Sequence, residues 1–565
     1  MSDRNYAFVG PFVDALASLG LSHVAIAPGS RSSPLALTFA SHPAIQDLVF
    51  HDERSAGFFA LGLAKTINKP VAVVTTSGTA AAELLPAAVE AIQGQTPLLL
   101  LTADRPPELR SVGAPQAVDQ VKLYGDAVKW FHEVGVPEAT PEFVRTAPAL
   151  AVRAWADTMD APMGPVHLNF SFREPLVPVE SAAPPAQSRQ PSYHAAMLAP
   201  DEAAVSEVAN VIAGRRTLIV VGPQNDPALA GPVAALGAAG GFPVMADGLS
   251  QLRAGSHDQS MVVATGHALT EVGWLAANKP EAVIRIGALP TSKPVVRWLA
   301  DNADVPQVII DRAGWRDPDA SAAIMLRSDP IMAATSLTKA ITHQAPSGWA
   351  QSWRRADDVA AAALDAAVRG FGFPTEPGVV LALGDSMPQD STLWAASSMP
   401  VRDVDAFMAR RPGALRVLAN RGANGIDGFL SSGFGSAIGG GPTYLLAGDL
   451  SALHDIGALA TAARLDIDAT VIVIHNDGGG IFEFLPQAEG DRETFERIFA
   501  TPHGLDFVSV ARAFGVDAVE TADRDHLRRL IASPTGHPRL VQVRTDRVGN
   551  VALHRAAADA VRQAL

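Results

Sequence analysis

The chain has 565 residues, 48% hydrophobic and 18% charged, with a formal net charge of −14 and no cysteine. That length exceeds a single hydrophobic core and predicts about three or four domains of ordinary globular-enzyme composition. The acidic balance argues against nucleic acid as the main partner, and the lack of cysteine excludes disulfides, thiolate metal sites and cysteine nucleophiles.

Residues 1–20 include Asp3, Arg4 and Asp14 and lack a signal-peptide layout, so a cytoplasmic chain is expected. No run reaches the roughly 18 apolar residues that a membrane span requires. Over residues 1–185, apolar runs at 23–27, 71–75, 97–101 and 165–170 alternate with helical patterns such as 14–19 and 80–92. Such alternation predicts an α/β domain with an open parallel sheet. Ligands of these sheets bind beyond the carboxyl ends of strands, and the loops there are rich in polar groups. Pro28-Gly29-Ser30-Arg31-Ser32-Ser33-Pro34 follows the first run, Thr76-Ser77-Gly78-Thr79 the second, and Thr102-Ala103-Asp104-Arg105-Pro106-Pro107 the third. Glu53, in His51-Asp52-Glu53-Arg54-Ser55-Ala56-Gly57, by itself reads as a first-turn acid favoured by the helix dipole.

Residues 171–200 are rich in proline with few apolar runs and read as an extended linker. A second α/β segment spans about 201–343, with strands expected at 217–221, 282–286 and 307–310. Its Gly237-Ala238-Ala239-Gly240-Gly241 does not directly follow a strand, so it is a poor dinucleotide fingerprint. A third unit, about 350–565, has expected strands at 392–396, 416–419, 443–447, 470–474 and 539–543. Residues 379–383 are apolar, but Thr375-Glu376-Pro377 before them is a helix start, and a helix is expected there. No repeat is visible along the sequence.

The most informative stretch lies in this last unit. Run 443–447 stops at Gly448-Asp449-Leu450-Ser451, and run 470–474 stops at His475-Asn476-Asp477-Gly478-Gly479-Gly480. This is a βαβ pattern that sets two parallel strand ends side by side, with Asp449 on one and Asn476 on the other. A carboxylate, an amide oxygen and a carbonyl freed by the Gly478 turn form a hard oxygen set suited to Mg²⁺ or Ca²⁺ rather than zinc. The helix start near Ser451 adds N–H donors for phosphate oxygens. The same residues also suit a plain helix cap and a tight turn.

The spacing of Asp449 and Asn476 resembles the diphosphate and metal motif of thiamine-diphosphate enzymes, with Leu450 and His475 replacing its second glycine and first asparagine. The Glu53 segment resembles the glutamate helix of the pyrimidine-binding domain in the same superfamily. Several loops are most similar to the 2-succinyl-5-enolpyruvyl-6-hydroxy-3-cyclohexene-1-carboxylate synthase family of menaquinone biosynthesis. They are Pro28 to Pro34, Thr102 to Pro107, Gly113-Ala114-Pro115-Gln116, Ser398-Met399-Pro400-Val401-Arg402-Asp403, Asn420-Arg421-Gly422-Ala423-Asn424-Gly425-Ile426-Asp427-Gly428 and Gly480-Ile481-Phe482.

The resemblance covers essentially the whole chain. It implies three open parallel-sheet α/β domains: pyrimidine-binding at 1–185, middle at 196–345 and diphosphate- and metal-binding at 350–565. It implies decarboxylation of 2-oxoglutarate with thiamine diphosphate and Mg²⁺ or Mn²⁺, and 1,4-addition of the succinyl unit to isochorismate. Glu53 would hydrogen-bond the aminopyrimidine, and Ile426 would prop the cofactor in its bent form. Gly448, Asp449, Leu450, Ser451, Asn476, Gly478, Gly479 and Ile481 would surround the diphosphate, with Asp449, Asn476 and Gly478 on the metal. Arg31, Arg105, Lys293, Arg402 and Arg421 would bind substrate carboxylates, a role that suits the planar guanidinium fork of the arginines. Ser30, Gln116 and Ser398 would hydrogen-bond substrate, with Ile481, Phe482 and Leu485 as an apolar wall. A homodimer, alone or paired into a tetramer, would hold its sites between subunits. Another thiamine-diphosphate decarboxylase or carboligase would keep Glu53 and Asp449 without needing the arginines. A catalytically dead homologue would keep only the fold, and a dehydrogenase would need the missing dinucleotide fingerprint.

Overall fold

The computed structural model describes residues 4–178, 190–312 and 314–565. It contains three six-stranded sheets in which every pairing is parallel. The first runs Gln46–Val49, His23–Ile26, Val71–Thr75, Leu98–Asp104, Pro165–Ser171, Trp130–Gly135. The second runs Val262–Val263, Val244–Ala246, Thr217–Val221, Ala282–Ile286, Gln307–Asp311, Ala322–Arg327. The third runs Leu415–Leu418, Ser391–Ala395, Thr443–Gly448, Ala469–His475, Arg539–Arg544, Asp517–Glu520. The expected α/β class with open parallel sheets is therefore observed.

With strands counted in chain order within each sheet, the first and third share the order 2-1-3-4-6-5, while the second runs 3-2-1-4-5-6. The first and third are thus a structural repeat with no counterpart visible in the sequence. In both, the order reverses between the first and third strands, where open sheets form a crevice beyond the carboxyl ends. In the first sheet that crevice lies between the loop starting at Pro28 and the loop starting at Thr76. In the third it lies between Ser398 and Asp449.

The chain divides into two compact units. One comprises Met1–Ala196 with Asn420–Gly440 and His454–Leu465. Its core on one sheet face includes Phe8, Phe12, Val24, Val74, Leu99 and Phe170, all buried. The helix Glu53–Ile67 packs against Phe429–Gly439 so closely that a Cβ on Gly62 would lie 1.8 Å from the Ser432 carbonyl oxygen. Only glycine permits that approach. Thr66 Oγ1 donates to Ser436 Oγ (2.7 Å) and Ser432 Oγ to the Phe58 carbonyl (3.1 Å), which lock the register of the two helices.

The expected helix over 80–92 is instead two, Thr79–Ala82 and Leu85–Gln93. Pro86 has no N–H to offer the preceding turn, so it starts a new helix rather than continuing the old one. The first helix is longer than the expected 14–19 and spans Arg4–Leu19. Between Ser171 and Glu202 the described residues form no helix or strand; 179–189 of the expected linker lie outside the described residues.

The second unit comprises Met197–Ala419, Gly441–Leu453 and Asp466–Leu565 and holds the other two sheets. The helix expected after Thr375 is observed at Glu376–Ser386, with Thr375 Oγ1 accepting from the Gly378 N–H at 3.2 Å. The 237–241 glycines close the helix Ala230–Gly240, with Gly241 left-handed at φ 66°, so they form no phosphate loop. No helix among the described residues is long and apolar enough to cross a membrane.

Candidate active site

Strands Thr443–Gly448 and Ala469–His475 lie side by side with Gly448 opposite Ile474, which brings Asp449 and Asn476 together at their carboxyl ends. The Asp449 carboxylate is buried. Its Oδ1 accepts from the Leu450 N–H (2.7 Å), and its Oδ2 from the N–H groups of Asn476 (3.1 Å) and Gly478 (3.0 Å). The Gly478 turn also presents N–H groups to Asp449, and the Gly478 carbonyl accepts from the Gly480 N–H at 2.9 Å.

The side chain of Asn476 has a fixed orientation. Its Nδ2 donates to Glu376 Oε1 at 2.7 Å, while its Oδ1 is buried with no hydrogen-bond partner among the described residues. A Cβ on residue 480 would sit 2.5 Å from that Nδ2, which explains Gly480. Ser451 is buried close by in sequence, and Gly479 is tied down by its N–H to the Ala500 carbonyl (2.7 Å). Ile481, Phe482 and Leu485 are half-buried on and after the short turn Gly480–Phe484.

Two histidines complete the cluster. His475 Nδ1 lies 3.1 Å from Asp449 Oδ2, and its Nε2 donates to the Leu505 carbonyl at 2.9 Å. Burial opposes a charge on His475, but the bonds to Asp449 and Leu505 outweigh it and raise its pKa. His503 stacks on His475 with ring centroids 5.3 Å apart, and its Nδ1 accepts from the Leu505 N–H. Asp449, His475 and His503 lie close enough to share a metal ion. Both His475 nitrogens and His503 Nδ1 are already engaged, however, so this set offers a cation one imidazole nitrogen. The unpartnered Asn476 Oδ1 and the Asp449 oxygens make the better cation site, and a hard one.

Glu376 and His503 were not recognised in the sequence. Glu376 is buried at the first turn of its helix, and burial together with the nearby Asp403 pushes its pKa up to about 8. The other candidate residues of this unit stand on separate loops. Ser398 is left-handed (φ 75°) and opens the helix Met399–Phe407. Arg402, one turn on, is half-buried and donates back to the Ser398 carbonyl. Lys293 is exposed at the start of Lys293–Asp301.

The other unit carries the remaining candidates. Glu53 is half-buried in the first turn of its helix, which Asp52 caps by accepting from the Ser55 N–H (2.9 Å). Arg31 is buried and donates to the Phe172 carbonyl at 2.9 Å; burial first, then the positive charge of Arg105, lowers its pKa. Arg105 donates to the Pro115 carbonyl through Nε and Nη2, which pins the loop that leads into exposed Gln116. Ser30 is exposed beside Arg31. Thus Arg31, Arg105, Ser30 and Gln116 gather beyond the carboxyl ends of the first sheet. Arg421 and Ile426 are half-buried on the 420–428 loop of the same unit.

Residues 11–123 match the model of the thiamine pyrophosphate enzyme N-terminal TPP binding domain, and 407–543 that of the C-terminal TPP binding domain. The fold is similar to a crystal structure of benzoylformate decarboxylase from Polynucleobacter necessarius. The TM-score is 0.72 at 18% identity, covering 96% of this chain and 98% of that one. The chain is 41% identical to the 2-succinyl-5-enolpyruvyl-6-hydroxy-3-cyclohexene-1-carboxylate synthase of Geobacillus kaustophilus, covering 98% of this chain and 97% of the relative. It is 40% identical to that of Chloroflexus aurantiacus, covering 99% and 96%. On that identity over nearly its full length, the chain belongs to the 2-succinyl-5-enolpyruvyl-6-hydroxy-3-cyclohexene-1-carboxylate synthase family of thiamine-diphosphate enzymes.

Proposed function

We propose that the protein joins the four-carbon unit left by decarboxylation of 2-oxoglutarate to isochorismate, giving the product for which its relatives are named. The observation that carries this reading is the buried, unpartnered Asn476 Oδ1 beside Asp449 at adjacent strand ends. In a family of thiamine-diphosphate enzymes, such an oxygen pair fits the divalent cation that accompanies a diphosphate. Asp449, Asn476 and the Gly478 carbonyl would hold Mg²⁺ or Mn²⁺, with Gly448, Leu450, Ser451 and Gly479 along the diphosphate. Thiamine diphosphate, when bound, supplies the carbon nucleophile and the electron sink that let a 2-oxo acid lose CO₂.

The protein's own residues do the rest. Glu53 would accept a hydrogen bond at the aminopyrimidine, a role suited to a half-buried carboxylate in the first turn of a helix. Ile426 props the cofactor. Arg31, Arg105, Arg402, Arg421 and Lys293 bind and orient the substrate carboxylates, with Ser30, Gln116 and Ser398 as hydrogen-bonding partners. Ile481, Phe482 and Leu485 exclude water from the reacting carbon. We assign 1–185, 196–345 and 350–565 to the pyrimidine, middle and diphosphate domains; one of the three sheets falls within each range. The working form is taken to be a cytoplasmic homodimer, alone or paired into a tetramer.

Mass spectrometry of the products from 2-oxoglutarate, with and without isochorismate, tests the activity. The expected result is a succinyl adduct formed only when isochorismate is present. Decarboxylation without any adduct would favour a different decarboxylase.

A further inference from the structure

An asparagine makes a useful cation ligand only if its oxygen, not its amide nitrogen, faces the ion. The two ends of the amide are nearly equal in size, so something must choose between them. The backbone cannot, because the Asn476 N–H is spent on Asp449 Oδ2 and leaves the side-chain torsions free. Glu376 Oε1 lies 2.7 Å from Asn476 Nδ2 and accepts from it, so the amide nitrogen is the end turned to Glu376. Thr545 Oγ1 approaches the same Oε1 at 3.5 Å as a second donor. Glu376 is held in turn by the first turn of its helix, capped at Thr375, and is 2% exposed.

We infer that Glu376 is a positioning residue for the cation site: by accepting the amide of Asn476, it fixes that side chain with Oδ1 toward the ion. The inference rests on the assignment of Asn476 as a cation ligand. The site thereby depends on a group remote in sequence from both strand ends, brought in by a separate helix. Loss of such a supporting contact typically weakens metal binding about 10- to 100-fold.

The test is binding of Mn²⁺ to the full-length protein at saturating thiamine diphosphate, followed by the electron paramagnetic resonance of free Mn²⁺. Glu376→Leu, with nothing to accept the amide, should bind Mn²⁺ about 10- to 100-fold more weakly. Glu376→Gln, which keeps a carbonyl oxygen at that position, should stay within about threefold of wild type, since the acceptor survives. A reciprocal pair keeps the test informative should the leucine variant fail to fold. Asn476→Asp alone removes the amide donor and sets two carboxyl groups against each other, and should lose affinity. Adding Glu376→Gln supplies an amide donor to the new carboxylate and should recover it. Binding by a folded Glu376→Leu variant equal to wild type would overturn the role of Glu376 and leave the cation assignment standing, as would equal losses in Gln and Leu or no recovery in the double variant. No Mn²⁺ binding by wild type would overturn the cation assignment, and this inference with it.

Discussion

Lys65 and Glu90 meet inside the first unit with Nζ and Oε1 3.4 Å apart and both side chains almost fully buried. Glu90 also accepts from the N–H groups of Gly422 (2.8 Å) and Ala423 (2.7 Å), so one carboxylate fastens the 420–428 loop. Arg421 and Ile426 take their places from that fastening. Burial lowers the pKa of Lys65, against the opposing pull of Glu90. Glu90→Ala would take the carboxylate away from the Lys65 ammonium and from both loop amides, and breaking a buried pair from one side costs about 3–5 kcal/mol. A loss of that size in urea denaturation is expected, with a raised KM for isochorismate because the Arg421 loop loosens. Glu90→Gln keeps an acceptor for the loop and should lose less. Unchanged stability in Glu90→Ala would show that no such clamp operates.

Asp455 sets a pH dependence in the same unit. It is buried, accepts from the Ser431 N–H at 2.7 Å, and burial pushes its pKa up to about 6. The folded pKa is above the unfolded one, so the stabilising contribution is full below about pH 4 and is lost as pH rises through 6. Roughly two pKa units correspond to about 3 kcal/mol. Asp455→Asn should flatten the unfolding free energy between pH 4 and 7 by an amount of that order. Profiles of the two proteins that run parallel would refute this.

The carboxyl ends of the strands were legible because buried parallel strands are written as continuous apolar runs, and the residues after each run must form a loop at the binding edge. Asp449, Asn476, Arg31 and Arg105 were found that way. The edge strand Leu415–Leu418 was read as well, at 416–419, but other edge strands were not. Gln46–Val49 and Asp517–Glu520 both carry exposed residues, as edge positions do, and leave no apolar run to read. Glu376 was read only as part of a helix start, since nothing in its neighbourhood reveals that the helix delivers it to Asn476. Gly62 likewise carried no local sign that it lets two helices meet. These are long-range contacts, visible only once the sheets are assembled.

Asp449→Ala should weaken binding of thiamine diphosphate at fixed Mg²⁺, because it removes the only ionised oxygen ligand proposed for the cation. The loss should depend on the metal. In the presence of a chelator, wild type and variant should bind the cofactor with similar, weak affinity. Equal affinities at saturating Mg²⁺ would remove Asp449 from the metal site.

Arg402→Ala and Arg421→Ala should leave cofactor affinity near wild type and lower kcat/KM. A lost charge-assisted hydrogen bond is worth roughly 1.5–3 kcal/mol, or about a 10- to 150-fold fall. Cofactor affinity falling by as much as kcat/KM would mean that these arginines serve the cofactor rather than the substrates.

Glu53 and Asp449 are assigned to opposite ends of one cofactor, and in the proposed homodimer each site takes Glu53 from one chain and Asp449 from the other. Glu53→Gln should nearly abolish activity, since a neutral amide accepts the aminopyrimidine proton far less readily than a carboxylate. Asp449→Ala should do so through the metal. Each variant alone is then dead in both sites of its dimer. A hybrid of one Glu53→Gln chain and one Asp449→Ala chain places both defects in one site and leaves the other intact. Random mixing makes about half of the dimers hybrid, and half of their sites good, so co-expression should restore about a quarter of wild-type activity under twofold symmetry with independent sites. Hybrids carrying two different affinity tags, purified through both, should reach about half. Doubly purified hybrids without activity would mean that each site is built within a single chain.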